Sequence, residues 1–430
     1  MDGREVKMSK TEMSKTVSVE KIVVRDDLYP RIKHDPSIVQ KYAEDIEVLP
    51  PIEVNQDYEL IDGKHRLLAH KLQERKEIEV VITETKSDNE LLALACKRNS
   101  SFGLQLNEKD KRSMAIKLYN AGEGIDKKEI ASLLSVTERS VSGYLKEIDG
   151  QIKEARKDKI MAMWLACYTQ EEIAEAVGQS QQAIAKELEL LPQTESLPKV
   201  VQLAISHSDD FEPPLYNIWS FSKKSNKVSH FGNSEITIVD NLLYLYTEPF
   251  DIVLDPFAGG GSTIDICQKR MRRYWASDRK PTVAREDIRL LDIVEELPPF
   301  AKRWSEVKLT YLDPPYWKQA EGQYSKDKED LANMSQDDFR KTLTKIVKSI
   351  AAKQTHGVIA LLIQPTQWKA DNKEVVDHVA DLLSDIKLPL EMRISCPYST
   401  EQYNAQQVEW AKKNKKLLVL TRELLVWRCE

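Results

Sequence analysis

Two apolar, strand-like runs that each end in a chemically unusual turn constrain this chain more than any other feature. Ile252 to Leu254 leads into Asp255-Pro256-Phe257-Ala258-Gly259-Gly260-Gly261-Ser262-Thr263, which opens a helix. Lys308 to Leu312 leads into Asp313-Pro314-Pro315-Tyr316. Further strand-like runs, Tyr274 to Ser277, Val358 to Ile363, Glu391 to Ser395 and two near the C-terminus, alternate with helical stretches. Alternation of this kind means parallel strands joined by crossover helices, so the block from Pro214 to Glu430 is expected to form a doubly wound α/β sheet. Ligands of such sheets bind at the carboxyl ends of the strands, where both turns lie.

The turns carry complementary chemistry. Glycines let the backbone approach a ligand closely. Asp278 ends the next strand, 23 residues beyond Asp255, near the spacing at which an acid holds ribose hydroxyls. Asp287 offers a further carboxylate for an adenine amine. At the second turn, Asp313 and the carbonyl of Pro314 can accept the two N–H bonds of an exocyclic base amine. That draws the nitrogen towards a pyramidal geometry and frees its lone pair. The prolines, Pro315 included, fix the backbone so that the acceptors are preorganised. Tyr316 offers a face on which an extruded base can stack.

With 430 residues the chain has length for two to four domains. Its five cysteines form no C-x-x-C pair, so neither a zinc site nor a disulfide framework is expected. The polar first residues and the shortness of every apolar run predict a cytoplasmic protein with no membrane segment. A net charge of −6 counts against non-specific coating of nucleic acid but allows a local basic face.

The region from Pro214 to Arg428 resembles the amino-methyltransferases that modify DNA. Their donor motif, D-P-F-x-G-x-G-[ST], is matched from Asp255 to Ser262, and their catalytic motif, [DNS]-P-P-[YFW], at Asp313 to Tyr316. The resemblance implies a Rossmann-like seven-stranded sheet closed by an antiparallel hairpin, here Leu417 to Leu420 with Leu424 to Arg428. It implies S-adenosylmethionine as cofactor and double-stranded DNA as partner. Donor-binding residues would be Asp255, Pro256, Phe257, Ala258, Gly259, Gly261, Ser262, Thr263, Asp278 and Asp287. Trp219 and Asn233 lie in a stretch similar to the one that binds the methionine end. Asp in the first catalytic position favours adenine N6 over cytosine N4, which stays the alternative. Only about 50 residues separate the motifs, so target recognition falls to the loop after Tyr316 (Lys318, Gln319, Tyr324) or to the N-terminal half.

That half reads as a tail (1–16), a small α/β domain (17–100), helix-turn-helix regions at 101–150 and 151–195, and a linker (196–213). Residues 17–97 resemble the ParB N-terminal domain through Pro30-Arg31 and Gly63-Lys64-His65-Arg66-x-x-Ala69, against a pattern G-x-R-R-x-x-A with His65 in place of an Arg. A helix opening after Gly63 can hold phosphate, and in partition proteins this site binds CTP; Gly63, His65 and Arg66 are the candidates. Recognition helices would present Arg139, Ser142, Gln181, Gln182 and Lys186 to a major groove. A homodimer, a mobile-element setting and a non-catalytic ParB-like partition or regulatory factor complete the readings.

Overall fold

The computed structural model describes residues 14–31, 33–101, 106–121, 125–189, 199–207, 211–220, 236–280, 285–319, 321–322, 326–367, 375–398, 403 and 405–429. The chain divides into two units, Met1–Ala155 and Arg156–Glu430.

The first unit opens with β1 (Ser14–Ser18), α1 (Pro36–Glu44), β2 (Ile52–Val54), β3 (Leu60–Asp62), α2 (Lys64–Leu72), β4 (Glu77–Ile82) and α3 (Asp88–Ser101). The strands form one sheet in the order β1-β4-β2-β3, with β2 and β4 parallel and the outer pairs antiparallel. The strand expected at Val17 to Val24 begins earlier, at Ser14. It gives way to a 3-10 turn at Val19–Lys21, where the Glu20 amide donates to the Ser18 hydroxyl. Helices α4 (Glu108–Asn120), α5 (Lys127–Leu133) and the start of α6 (Glu138–Leu165) follow. Met114, Leu118, Ile130, Leu134, Val141 and Leu145 are sealed from solvent between them. Asp126 caps α5 by accepting from the Glu129 amide. Ser135 makes the turn into α6 at φ 50, a left-handed conformation that glycine adopts with less strain.

Helix α6 runs unbroken through residue 150, where a boundary was expected, and ends in the second unit at Leu165. The Lys-, Glu- and Arg-rich stretch around Gly150 contains no proline, so nothing ends the helix there. Helices α7 (Gln170–Val177) and α8 (Gln181–Glu189) come next. Thr169 and Glu172 form the complete capping box of α7, and Gly178, at φ 64, ends it. The stretch read as linker includes α9 (Lys199–Ile205). Its last carbonyls, Ala204 and Ile205, accept from the buried guanidinium groups of Arg270 and Arg272.

Then come α10 (Ile236–Tyr246), β5 (Ile252–Asp255), α11 (Ser262–Lys269), β6 (Arg273–Asp278), β7 (Ile288–Leu290) and β8 (Val307–Leu312). The chain continues through α12 (Gln336–Ala351), β9 (Val358–Ile363), the short pair β10 (Thr366–Gln367) and β11 (Val375–Val376), α13 (His378–Asp385), β12 (Leu390–Ser395), α14 (Ala405–Asn414) and β13 (Glu423–Arg428). Seven strands form one sheet in the order β12-β13-β9-β8-β5-β6-β7. The five from β9 to β7 are parallel, and β13 and β12 are antiparallel to their neighbours.

Strand alternation sends one set of side chains to each face. Ile252, Leu254, Ile359 and Leu361 pack under Phe339, Leu343 and Ile346 of α12. Val253, Leu309, Ala360 and Leu362 pack against Ile238 and Leu242 of α10 and Ile264 and Cys267 of α11. The doubly wound, seven-stranded expectation holds, with one correction: the hairpin partner of Glu423–Arg428 is Leu390–Ser395, not Leu417 to Leu420. Leu417 is 91% exposed and makes no ladder, whereas Ile394 is buried against the sheet. Among the described residues, no helix is long and apolar enough to cross a membrane.

Candidate active site

Strand β5 is paired with β6 on one side and β8 on the other, so three acids reach the same carboxyl edge: Asp255, Asp278 and, one residue past β8, Asp313. Asp255 is 3% exposed and accepts from the Phe257 amide at 3.0 Å and from the Thr263 hydroxyl. Burial pushes its carboxyl up to about 7, and the charges of Asp313 and Asp278 add to the rise. Asp255 therefore holds the glycine-rich turn in shape from beneath.

Asp278 accepts from the Gly259 amide at 2.9 Å and the Lys280 amide at 2.8 Å. Its pKa is raised by burial, against the pull of those two amides. The acid picked out by spacing is thus stitched to the glycine turn itself. Gly259 and Gly261 have φ 49 and 82, and a Cβ on Gly259 would meet nothing closer than 4.0 Å. The open space above Gly259, beside the partly buried Asp278 carboxylate, suits a nucleoside with ribose hydroxyls. A Cβ on Gly261 would lie 2.8 Å from the Arg285 guanidinium, which packs across the turn. Asp287 sits in the turn before β7. Arg285 grips it through Nε and Nη2, both at 2.9 Å, and the Tyr274 hydroxyl donates to it at 3.1 Å. Burial would raise the Asp287 pKa, but Arg285 brings it below the usual carboxylate range.

Trp219 is buried, its ring nitrogen donating to the Tyr216 carbonyl and its amide to Ser395 at the edge of β12. Asn233 and Tyr324 lie outside the described residues.

At the second motif, the Tyr316 hydroxyl donates to Asp313 Oδ1 at 3.0 Å, and the Tyr311 hydroxyl lies 3.4 Å from Oδ2. Tyr311 and Asp313 are two apart at the end of an extended strand and so share a face, a signal that was available in the sequence. Burial, and then the Asp313 charge, push the Tyr316 phenol well above its ordinary range, so it stays a donor. Pro314 is buried and Pro315 half-buried, which fixes the turn. The described residues that follow are tied down. Lys318, at φ 59, pairs with Glu321 at 2.7 Å, and Gln319 donates to the Pro365 carbonyl at 3.2 Å.

On the helical pairs, Arg139, Ser142, Gln181, Gln182 and Lys186 are all solvent-exposed. In the first unit, Gly63 starts α2 at φ 106, and an added Cβ would lie 2.7 Å from Ile52 Cγ2. His65 is buried and accepts from the Asp35 amide at 3.1 Å. Arg66 binds Asp62 at 2.6 Å and the carbonyls of Pro50 and Pro51 at 3.0 and 2.6 Å. All three candidates for nucleotide phosphate therefore have structural work in this fold. Among the described residues, no group of three or more His, Cys, Asp or Glu side chains is placed to hold a metal ion.

The chain matches the DNA methylase family of N6-adenine and N4-cytosine type over residues 78–286, just under half its length. This bears out the resemblance to DNA amino-methyltransferases. The matched span contains the glycine-rich turn and Asp278 and ends before Asp313. Among solved structures, the chain is similar to a Pnob8-like ParB-N domain at 15% identity, TM-score 0.27, covering 46% of this chain and 90% of that one. It is also similar to the C-terminally truncated chromosome-partitioning protein ParB from Caulobacter crescentus. Complexed with CTP-gamma-S, that protein matches at 18% identity and TM-score 0.20, over 33% of this chain and 83% of that one. Complexed to the centromeric parS site, it matches at 17% identity and TM-score 0.25, over 41% of this chain and 99% of that one. No curated protein matches the chain.

Proposed function

We propose that this chain is an S-adenosylmethionine-dependent DNA methyltransferase that modifies adenine N6 of a base extruded from the duplex. The observation that carries the reading is the convergence of the glycine turn at Asp255 and the Asp313–Tyr316 turn on adjacent parallel strands. One turn suits the donor's nucleoside and the other the target amine.

When bound, S-adenosylmethionine supplies a methyl group already activated on a sulfonium. The protein's part is then positioning. The open face of Gly259 receives the donor's nucleoside, and Asp278 accepts from its ribose. Asp313 and the Pro314 carbonyl accept the two amine hydrogens, localising the lone pair towards the methyl. The proton leaves along the bond to Asp313 once nitrogen has been alkylated. Tyr316 stacks on the base while its hydroxyl aligns Asp313. Double-stranded DNA is the partner, with α6 and α8 as candidate groove readers. At Gly63 to Arg66, Arg66 already holds a carboxylate and two carbonyls, which leaves little for a nucleotide phosphate.

Methylation-aware sequencing of DNA from cells expressing the chain, with mass spectrometry of digested nucleosides, tests the proposal. N6-methyladenine at one sequence motif, lost in Asp313→Ala, is the expected result. N4-methylcytosine would move the reading to the alternative base. Unmodified DNA, with wild type and Asp313→Ala alike, would overturn it.

A further inference from the structure

A buried relay fixes the backbone immediately after Tyr316. The Thr366 hydroxyl donates to the Trp317 carbonyl at 2.9 Å. Its oxygen lies 2.9 Å from His378 Nε2. A hydroxyl has a single hydrogen to give, so with that hydrogen on Trp317, His378 must donate from Nε2. This assigns the imidazole tautomer. Burial lowers the His378 pKa to about 4, so the ring is neutral at working pH and that tautomer is available.

All three residues are enclosed: Trp317 and His378 are 2% exposed and Thr366 is 1%. The His378 ring stands edge-on to Trp317 at 5.6 Å and to Phe339 at 5.1 Å. The Trp317 ring nitrogen donates to the Met334 carbonyl at 2.9 Å, pinning the far end of the same loop. Thr366 and His378 are held within reach because β10 pairs with β11, with Thr366 opposite Val376 two residues before His378.

We infer that Thr366 and His378 are positioning residues for the catalytic turn, setting the angle of Tyr316 by clamping the peptide group between Trp317 and Lys318. The inference rests on the methyltransferase reading for its kinetic consequence, but the clamp itself is a property of the fold. Neither residue touches the target base. Both act through the Trp317 carbonyl, and a loosened Tyr316 would still bind donor but present base and Asp313 imprecisely.

Full-length Thr366→Val keeps the shape and removes the hydroxyl; Thr366→Ser restores it. Hydrogen exchange on the full chain reads the clamp without requiring activity. Thr366→Val should speed exchange of the amides of residues 316–319 by about tenfold, the loss of one hydrogen bond, and Thr366→Ser should return them to wild type. Steady-state kinetics read the consequence. In Thr366→Val, kcat should fall by about tenfold with the KM for S-adenosylmethionine unchanged, and Thr366→Ser should recover it. Should Thr366→Val fold poorly, His378→Phe, which keeps a ring in the same enclosure, gives the second test with the same pattern. Wild-type exchange rates and wild-type kcat in Thr366→Val would overturn the inference. An inactive wild type that still shows the exchange pattern would overturn the methyltransferase reading and leave the clamp standing.

Discussion

Asp255 is the residue whose environment departs furthest from its sequence appearance. It belongs to a donor motif, yet it is sealed under the turn and its pKa is raised to about 7. For a carboxyl raised on folding, the associated stability is fully present below the unfolded pKa, near 4, and is lost as pH rises through the folded value. Stability should therefore fall between about pH 4 and pH 7, by up to about 4 kcal/mol for a shift of this size. Asp255→Asn keeps an acceptor for the Phe257 amide and should flatten that slope. Urea midpoints of both proteins across this pH range check it. Tyr316 gives a second prediction at this scale. Tyr316→Phe keeps the stacking face and loses the hydrogen bond to Asp313, so kcat should drop about tenfold, in line with about 1.4 kcal/mol for one hydrogen bond. Tyr316→Ala should lose much more. Equal activity of wild type and Tyr316→Phe would show that the hydroxyl does nothing for Asp313.

Among elements, the docking of α9 depends on charges inside the protein. Arg270 is fully buried and grips Asp240 through Nε at 2.8 Å and Nη2 at 2.7 Å. His207 stands 3.0 Å from the same carboxylate. Burial alone would raise the Asp240 carboxyl; the hydrogen bonds from His207 and Arg270 bring it down to about 2. Arg270→Ala would leave Asp240 with His207 alone and remove the bond to the Ala204 carbonyl, so a loss of about 3–5 kcal/mol is expected in denaturant unfolding. None of this was legible beforehand, because an Arg-rich stretch such as Arg270 to Arg273 looks like surface and its side-chain partners Asp240, Thr247 and Glu306 lie 25 or more residues away. The hairpin partner of β13 was misplaced for a related reason. Strand pairing is non-local, and β12 carries mostly partly exposed or exposed positions, so its alternation is weak. Both turns at the site were legible because each packs strand, turn and chemistry into one short stretch. Tyr311 could have been read from strand alternation, whereas Thr366 and His378 could not, since they meet Trp317 only through the fold.

Across the whole molecule, charge bears on how DNA would be held and read under the proposed function. The chain carries a net −6, and α7 exposes Glu171, Glu172 and Glu175. Under the proposed function, α8 offers Gln181 and Gln182, exposed at its N-terminal turn, whose amides suit adenine edges, beside the exposed glutamates of α7. Gln181→Ala with Gln182→Ala should relax the methylated motif at one or two positions, at about 1–3 kcal/mol of discrimination per lost pair, while leaving total DNA affinity nearly unchanged. Comparing motifs by methylation-aware sequencing checks this; an unchanged motif would remove α8 as a reader.

The candidate site joins two turns that are neighbours only because β5 and β8 are hydrogen-bonded side by side. Adjacency in the sheet makes the site, and order along the chain does not enter. A gene rearrangement that placed the Asp313 half ahead of the Asp255 half would rebuild the same cleft, provided the new junction fell in a surface loop. The sheet itself therefore places no demand on the order in which its two halves are joined.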